Sequence, residues 1–142
     1  MTTTRTMKMG LAGAAAAALM AVLVAQPAAA SDGLQNAKAG DRTAHKLFCV
    51  PADHTKATGC FQPYGEVFRI VDLIKDGDAA AIYWRSSSGR AGEIHDHLGK
   101  GDWGYVNKSF GESTTVTFHT RSLVNEHPVD CGSSTTISAG VE

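Results

Sequence analysis

The stretch "GEVFRIVDLIKDGDAAAIYWRS", Gly65–Ser86, decides the fold because it holds two apolar runs around one turn signal. The central Asp-Gly pair is favoured in a two-residue type I′ turn, in which both residues need positive φ. We therefore predict a β-hairpin, and the turn defines its register. The predicted pairs are Leu73–Ala80, Val71–Ile82 and Arg69–Trp84 on one face, and Ile74–Ala79, Asp72–Ala81, Ile70–Tyr83 and Phe68–Arg85 on the other. Both faces are largely apolar, so one is expected to pack into a core.

The rest of the sequence also favours strands. In "STTVTFHTR" polar and apolar residues alternate, which is typical of a strand with one solvent-exposed face. The segments "KLFCV", "GCFQPYG" and "DWGYVNKSF" are interpreted as shorter strands. From Lys46 onward, no ten-residue stretch has a convincing helical period. We predict an all-β fold, a small antiparallel β-sandwich of six to eight short strands. The predicted core contains Phe48, Val71, Leu73, Ile82, Trp84, Val116 and Phe118.

The N-terminus has the three-part layout of a secretory signal peptide. Arg5 and Lys8 precede an apolar run over residues 9–25, and Ala28-Ala29-Ala30 supplies the small residues that signal peptidase needs. The run is short for a membrane span, which takes about 20 residues. We predict cleavage near Ala30, secretion to the extracellular space and no stable membrane insertion.

Cleavage would leave a single domain. Residues 31–43 lack periodicity and read as a flexible leader, and residues 44–142 read as the β-sandwich. The C-terminal "GSSTTISAGVE" is either a last edge strand or a loose end. Thirteen Lys/Arg oppose fourteen Asp/Glu, with no basic stripe, so nucleic acid is not expected as a partner.

The cysteines are Cys49, Cys60 and Cys131, an odd number for an exported protein. The local pair Cys49–Cys60 is favoured and would be worth about 3 kcal/mol in the chain-entropy model. Pairing of Cys131 with either of the others remains open. One thiol would then stay free or form an intermolecular bridge.

Three segments resemble a group of small secreted β-rich proteins of unknown function from filamentous actinobacteria. They are "YGEVFRIVDLIKDGDAAAIYW", "GKGDWGYVNKSFGESTTVTFHT" and "DCGS", within residues 45–135. The resemblance implies a β-rich fold and secretion, and it implies no activity. Many members of the group carry further cysteines near the positions of Val71, Ile94, Val106 and Arg121, where this chain has none.

The segment "EIHDHLGKGDW", at residues 93–103, raises the question of a metal site. In a strand His95 and His97 would project from one face, as two zinc ligands do, and His119 could supply a third nitrogen. The "LGKGD" that follows favours a turn, so the simpler interpretation is a solvated loop. No cofactor is predicted.

The residues favour a non-enzymatic binding protein over an enzyme. Serines in "RSSSGR" stand in a loop-like segment without the strand–turn–helix setting of a nucleophile. Aromatic and arginine side chains at Phe68, Tyr83 and Arg85 are the types enriched in contact surfaces. We predict a secreted binding protein for an extracellular protein or ligand. The alternative is a small secreted enzyme or metal-binding module that uses His95, His97 and His119.

Overall fold

The computed structural model describes residues 30–40, 45–129 and 132–140, and it is all-β. Two sheets pack face to face, as predicted for a β-sandwich. The described residues form eleven strands, more than the six to eight expected, because strands of two or three residues are too short to leave a periodic pattern. Residues 1–29 of the predicted signal peptide (residues 1–30) and Cys131 lie outside the described residues.

The strands form two sheets of six and five members. The strand bounds are β1 (Ala30–Asn36), β2 (Lys38–Ala39), β3 (Phe48–Pro51), β4 (Ala57–Gln62), β5 (Val67–Asp72), β6 (Ala79–Ser86), β7 (Arg90–Asp96), β8 (Trp103–Asn107), β9 (Thr115–Val124), β10 (His127–Val129) and β11 (Ser134–Ser138). Sheet A runs β1-β7-β6-β9, with β10 and β11 one after the other along the far edge of β9, and sheet B runs β2-β8-β5-β4-β3. β1 pairs in parallel with β7, and the other pairings are antiparallel. Of the two C-terminal alternatives, the structure has the edge strand.

The predicted hairpin is wrong, because β5 and β6 lie in different sheets. β5 pairs with β4 and β8, and β6 pairs with β7 and β9, so neither strand has a free edge for the other. The intervening residues 73–78 carry the chain from sheet B to sheet A. The Asp-Gly signal marks a real turn, at which Gly77 has φ +87°, but not a hairpin.

Local hydrogen bonds direct this crossover. The Leu73 N–H bonds the Lys56 carbonyl at 2.8 Å, which extends the β4–β5 register by one residue, and the Asp72 side chain then accepts the backbone N–H of Ile74 at 3.0 Å as the chain leaves sheet B. The Asp72 N–H in turn donates to the Asp96 carboxylate of β7 at 3.2 Å. Because both strands are apolar on both faces, their pattern alone could not separate a hairpin from two central strands.

The core lies between the sheets and is rich in aromatic rings. The Phe68 ring of sheet B lies 5.8 Å from both Trp84 and Phe118 of sheet A, centroid to centroid. Ile82, Trp84, Val116 and Phe118 belong to the core as predicted. Val71 is buried on the other face of sheet B, Phe48 is half-buried, and Leu73 is exposed because it lies past the end of β5.

Thr120 joins the two sheets and orients β9. Its hydroxyl accepts the Gly59 N–H at 3.0 Å and donates to the Val50 carbonyl at 2.6 Å, so this fully buried polar group is satisfied. A Cβ on Gly59 would meet the Thr120 oxygen at 2.4 Å, so the sheets approach closely here. Because Thr120 points inward, its neighbours His119 and Arg121 point to the outer face of sheet A.

The structure differs from the predicted flexible leader, since residues within 31–43 form β1 and β2. Asp32 receives two hydrogen bonds from Arg90, at 3.1 and 2.7 Å, and one from the Lys108 ammonium at 2.9 Å. Lys108 also donates to Gln35 and lies 4.6 Å from the ring centroid of Trp84. The hydrogen bond from Arg90, with the charge of Lys108, lowers the pKa of Asp32 to about 2. Because these contacts are polar, they leave no hydrophobic periodicity in the sequence from which β1 could be predicted.

The Cys49–Cys60 disulfide is confirmed. The two cysteines are direct partners across β3 and β4, with Cα atoms 4.0 Å apart. None of the described helical residues forms a helix long and apolar enough to cross a membrane.

Candidate functional site

The outer face of sheet A carries a group of aromatic and basic side chains that we call the Tyr83 patch. Its members, on β6 and β9, are Tyr83, Arg85, Thr117, His119 and Arg121. Tyr83 pairs with His119, and Arg85 pairs with Thr117. Arg85 is exposed and the other members are half-buried.

The aromatic part of the patch is ordered by stacking. The Tyr83 and His119 rings are nearly parallel, 8° apart in plane and 5.5 Å apart between centroids. The Arg121 guanidinium carbon lies 5.1 Å from the Tyr83 centroid, within range of a cation–π contact. Arg121 Nε also donates to His119 Nε2 at 3.1 Å. The three side chains therefore hold one another in place.

These contacts define the charge state of the patch. Burial, followed by the positive charges of Arg121 and Arg85, lowers the pKa of His119 below 6.5. His119 is therefore neutral at pH 7, and its Nε2 carries the lone pair that accepts from Arg121. Burial and the negative charge of Glu93 raise the pKa of Tyr83 above 10, so the phenol remains protonated.

Two shallow depressions flank Tyr83. One, of about 330 Å³, is lined by Arg85, Thr117 and His119, and the other, of about 440 Å³, is lined by Leu34 and Glu93. Leu34 is 55 % exposed. The face thus offers an aromatic ridge between a basic depression and one that combines an apolar and an acidic side chain.

A polar connection runs from this face to the end of β7. Glu93 pairs with Tyr83 across β6 and β7, and its Oε2 lies 3.2 Å from His95 Nε2. The other ring nitrogen of His95, Nδ1, lies 3.6 Å from Oε2 of Glu126, and Glu126 belongs to the turn between β9 and β10. Glu93 therefore stands between the Tyr83 patch and a second cluster.

That second cluster consists of His95, His97 and Glu126, whose ligand atoms all lie within 4.8 Å of one another. The two predicted histidines are brought together, with ring centroids 5.9 Å apart. His119 does not join them, because β6 separates β9 from β7 and two strand spacings amount to about 10 Å. Glu126 takes the place that the sequence prediction gave to His119.

The sequence interpretation of the "HDH" segment as a solvated loop, which was based on the turn that follows it, is wrong. His95 and Asp96 end β7 and are buried, and only His97 is exposed. Asp96 points between the sheets and accepts N–H groups from Leu98 and Asp72, at 3.0 and 3.2 Å. Burial raises the pKa of Asp96 above its usual value.

Phe68, predicted to be part of a contact surface, is fully buried in the core. The cause is the failed hairpin: in sheet B Phe68 faces the core, whereas the predicted register put it opposite Arg85. Tyr83 and Arg85 remain on an accessible face. Arg121 and Glu126 were not among the site residues predicted from the sequence. The signal for Arg121 was the alternation in "TFHTR", and the signal for Glu126 was the short polar turn within "LVNEHPV".

The chain matches no protein-family model, no curated protein and no solved structure. The functional inference therefore depends on the geometry of these two groups of side chains.

Proposed function

We propose that the protein is a secreted, non-enzymatic binding protein whose contact surface is the Tyr83 patch. The observation that carries the proposal is the parallel stack of Tyr83 and His119, fastened by Arg121, on a sheet face that does not contribute to the core. Tyrosine and arginine are enriched at binding hot spots. Side chains that are already ordered lose little conformational entropy when a partner binds.

The chemistry of the patch suggests what the partner offers. Arg85 is exposed and has no ion-pair partner among the described side chains, so an acidic group of the partner fits it. Tyr83 and the exposed Leu34 present flat apolar area beside it. The proposed partner is an extracellular protein that places a carboxylate against Arg85 and an apolar side chain against Tyr83.

Secretion is part of the proposal. The N-terminal sequence has the layout of a signal peptide, and disulfides such as Cys49–Cys60 persist in oxidising compartments. The resemblance to secreted actinobacterial proteins supports the same interpretation, and an actinobacterial origin belongs to the proposal.

The test uses the immobilised protein to retain partners from the native extracellular medium, followed by affinity measurements with the purified partner. We expect Tyr83→Ala and Arg85→Ala each to weaken binding at least tenfold, as hot-spot residues do. Tyr105→Ala is the matched control, because Tyr105 is a half-buried tyrosine on the outer face of sheet B. Equal affinity of all four proteins, or no retained partner, would contradict the proposal.

A further inference from the structure

We propose that His95, His97 and Glu126 form a binding site for a divalent metal ion of the zinc class. The three residues come from two connections of sheet A, the end of β7 and the β9–β10 turn. Zinc ligands lie about 2.0–2.2 Å from the ion, so ligand atoms in a tetrahedral site are about 3.3–3.6 Å apart. His95 Nδ1 and Glu126 Oε2, at 3.6 Å, already have nearly this spacing.

The His95 ring is oriented as a metal ligand is. Its side chain is only 4 % exposed, and Nδ1 is a buried nitrogen without a hydrogen-bond partner in the described part of the chain. Nε2 lies 3.2 Å from the Glu93 carboxylate, which accepts its N–H. Donation at Nε2 leaves the lone pair of Nδ1 directed at a second carboxylate, that of Glu126. Such a lone pair and a carboxylate repel each other unless a metal ion or a proton lies between them, and we assign a metal ion.

Glu93 completes the arrangement. Metal-binding histidines generally donate their second ring N–H to a carboxylate, which fixes the tautomer and makes the ligating nitrogen more basic. Glu93 occupies this position for His95, and it is itself held beside Tyr83 by the pairing of β6 and β7.

His97 is positioned by the residue between the histidines. Asp96 accepts the Leu98 N–H at 3.0 Å, which closes a local turn just after β7. His95 and His97 are two residues apart, so both project from the outer side while Asp96 points inward. Their rings meet at 5.9 Å.

Glu126 is held in a costly backbone conformation. Asn125 and Glu126 have φ of +49° and +64°, a two-residue turn in which glycine and asparagine are preferred over glutamate. Glu66 has a similar φ of +55°, and its carboxylate accepts the Phe110 N–H at 2.7 Å. The Glu126 carboxylate has instead His95 Nδ1 beside it. Strained residues of this kind cluster at ligand-binding sites.

The site faces open space on its fourth side. His97 and Glu126 line a cleft of about 600 Å³ together with Asp78, Asp96, Lys75 and Lys100. Two histidines and one carboxylate with a remaining open position form the donor set of zinc sites that keep an exchangeable ligand.

The experiment uses protein with its disulfide formed, without a histidine tag and treated with EDTA. Zinc chloride is titrated by calorimetry, and melting curves are recorded with and without zinc. We expect binding of one zinc ion per chain and a higher melting temperature. His97→Ala and Glu126→Gln each remove an exposed ligand and should weaken binding at least tenfold. His127→Ala is the matched control, an exposed histidine next to Glu126 outside the cluster, and should change the affinity less than twofold.

Three outcomes would overturn the proposal. The first is no zinc uptake at 1 mM zinc, because a dissociation constant of about 1 mM is about the weakest that would still count as specific binding. The second is uptake that neither His97→Ala nor Glu126→Gln weakens, which would place zinc elsewhere. The third is a ¹⁵N spectrum in which His95 is doubly protonated at pH 8 and unchanged by zinc, because a proton would then fill the space assigned to the ion.

Discussion

At the start of β7, Arg90 shares Asp32 with Lys108 and all three charges are paired, whereas at its end His95 faces Glu126 with an unpaired nitrogen. Both clusters are polar and both lie at the margin of sheet A. The first has a cation for each oxygen of its carboxylate and fastens β1 to the sandwich. In the second, the His95 nitrogen that does not contact Glu93 faces the Glu126 carboxylate at 3.6 Å, and the proposed zinc ion would lie between them. The mutual pairing at Asp32 indicates a structural role, whereas the buried His95 nitrogen without a hydrogen-bond partner supports the proposed metal site.

Removing the shared carboxylate is the most severe way to break the paired cluster. The Lys108 side chain is only 3 % exposed, so Asp32→Ala leaves its ammonium group buried without the carboxylate that it contacts. We expect a loss of about 3 kcal/mol in the free energy of unfolding, measured by urea denaturation. Asp102→Ala, at an exposed turn, is the control and should cost less than about 0.5 kcal/mol. A loss below about 1 kcal/mol for Asp32→Ala would show that the cluster is not a structural anchor.

Acid should weaken the same cluster with a defined sign. The folded-state pKa of Asp32, about 2, lies below the ordinary aspartate value of 3.8, so its contribution is present above pH 4 and is lost as pH falls towards 2. The difference corresponds to about 2 kcal/mol. Unfolding curves of wild type and Asp32→Asn between pH 5 and 2 measure it, and the two should converge at the acid end. Parallel curves would exclude Asp32 as the titrating group. Asp96, whose pKa is raised by burial, acts in the opposite sense and is common to both proteins.

For the cluster of His95, His97 and Glu126 we expect a substitution to change the free energy of unfolding by less than Asp32→Ala does, and in the stabilising direction. Glu126→Gly relieves a left-handed glutamate and should raise the zinc-free free energy of unfolding by about 0.5–1 kcal/mol. Measurement at pH 8, where histidine is ordinarily neutral, avoids an ion pair to His95. Glu66→Gly relieves the same strain but removes the hydrogen bond to Phe110, so its net gain should be absent. Equal gains for both variants would mean that the two carboxylates are equally dispensable.

Much of the fold followed from local pattern. The alternation in β9 and the apolar runs of β5 and β6 predicted those strands, and the short spacing of Cys49 and Cys60 favoured the pair that is observed. The leader was misjudged because β1 is held by Asp32 rather than by an apolar face. Sequence periodicity reports burial of side chains and does not detect a strand attached by charges.

The candidate sites were predicted only in part, for a related reason. His95 and His97 are neighbours in the chain, so their proximity was visible in "HDH". Glu126 lies about thirty residues further along and meets them only because β9 and β7 flank β6 in one sheet. Phe68 and Tyr83 were assigned to a single surface by a hairpin that does not exist.

The sequence by itself determined that the chain forms strands and where the main ones lie, because strand period and turn preference are local properties. It favoured the Cys49–Cys60 pair because loop closure is local, but it left pairing with Cys131 open. Only the tertiary structure decided that β5 and β6 belong to different sheets, that Phe68 faces the core while Tyr83 faces outward, and that Glu126 stands against His95. The physical reason is that a strand apolar on both faces satisfies its backbone equally well in either sheet. The choice between sheets then depends on how all the strands pack together.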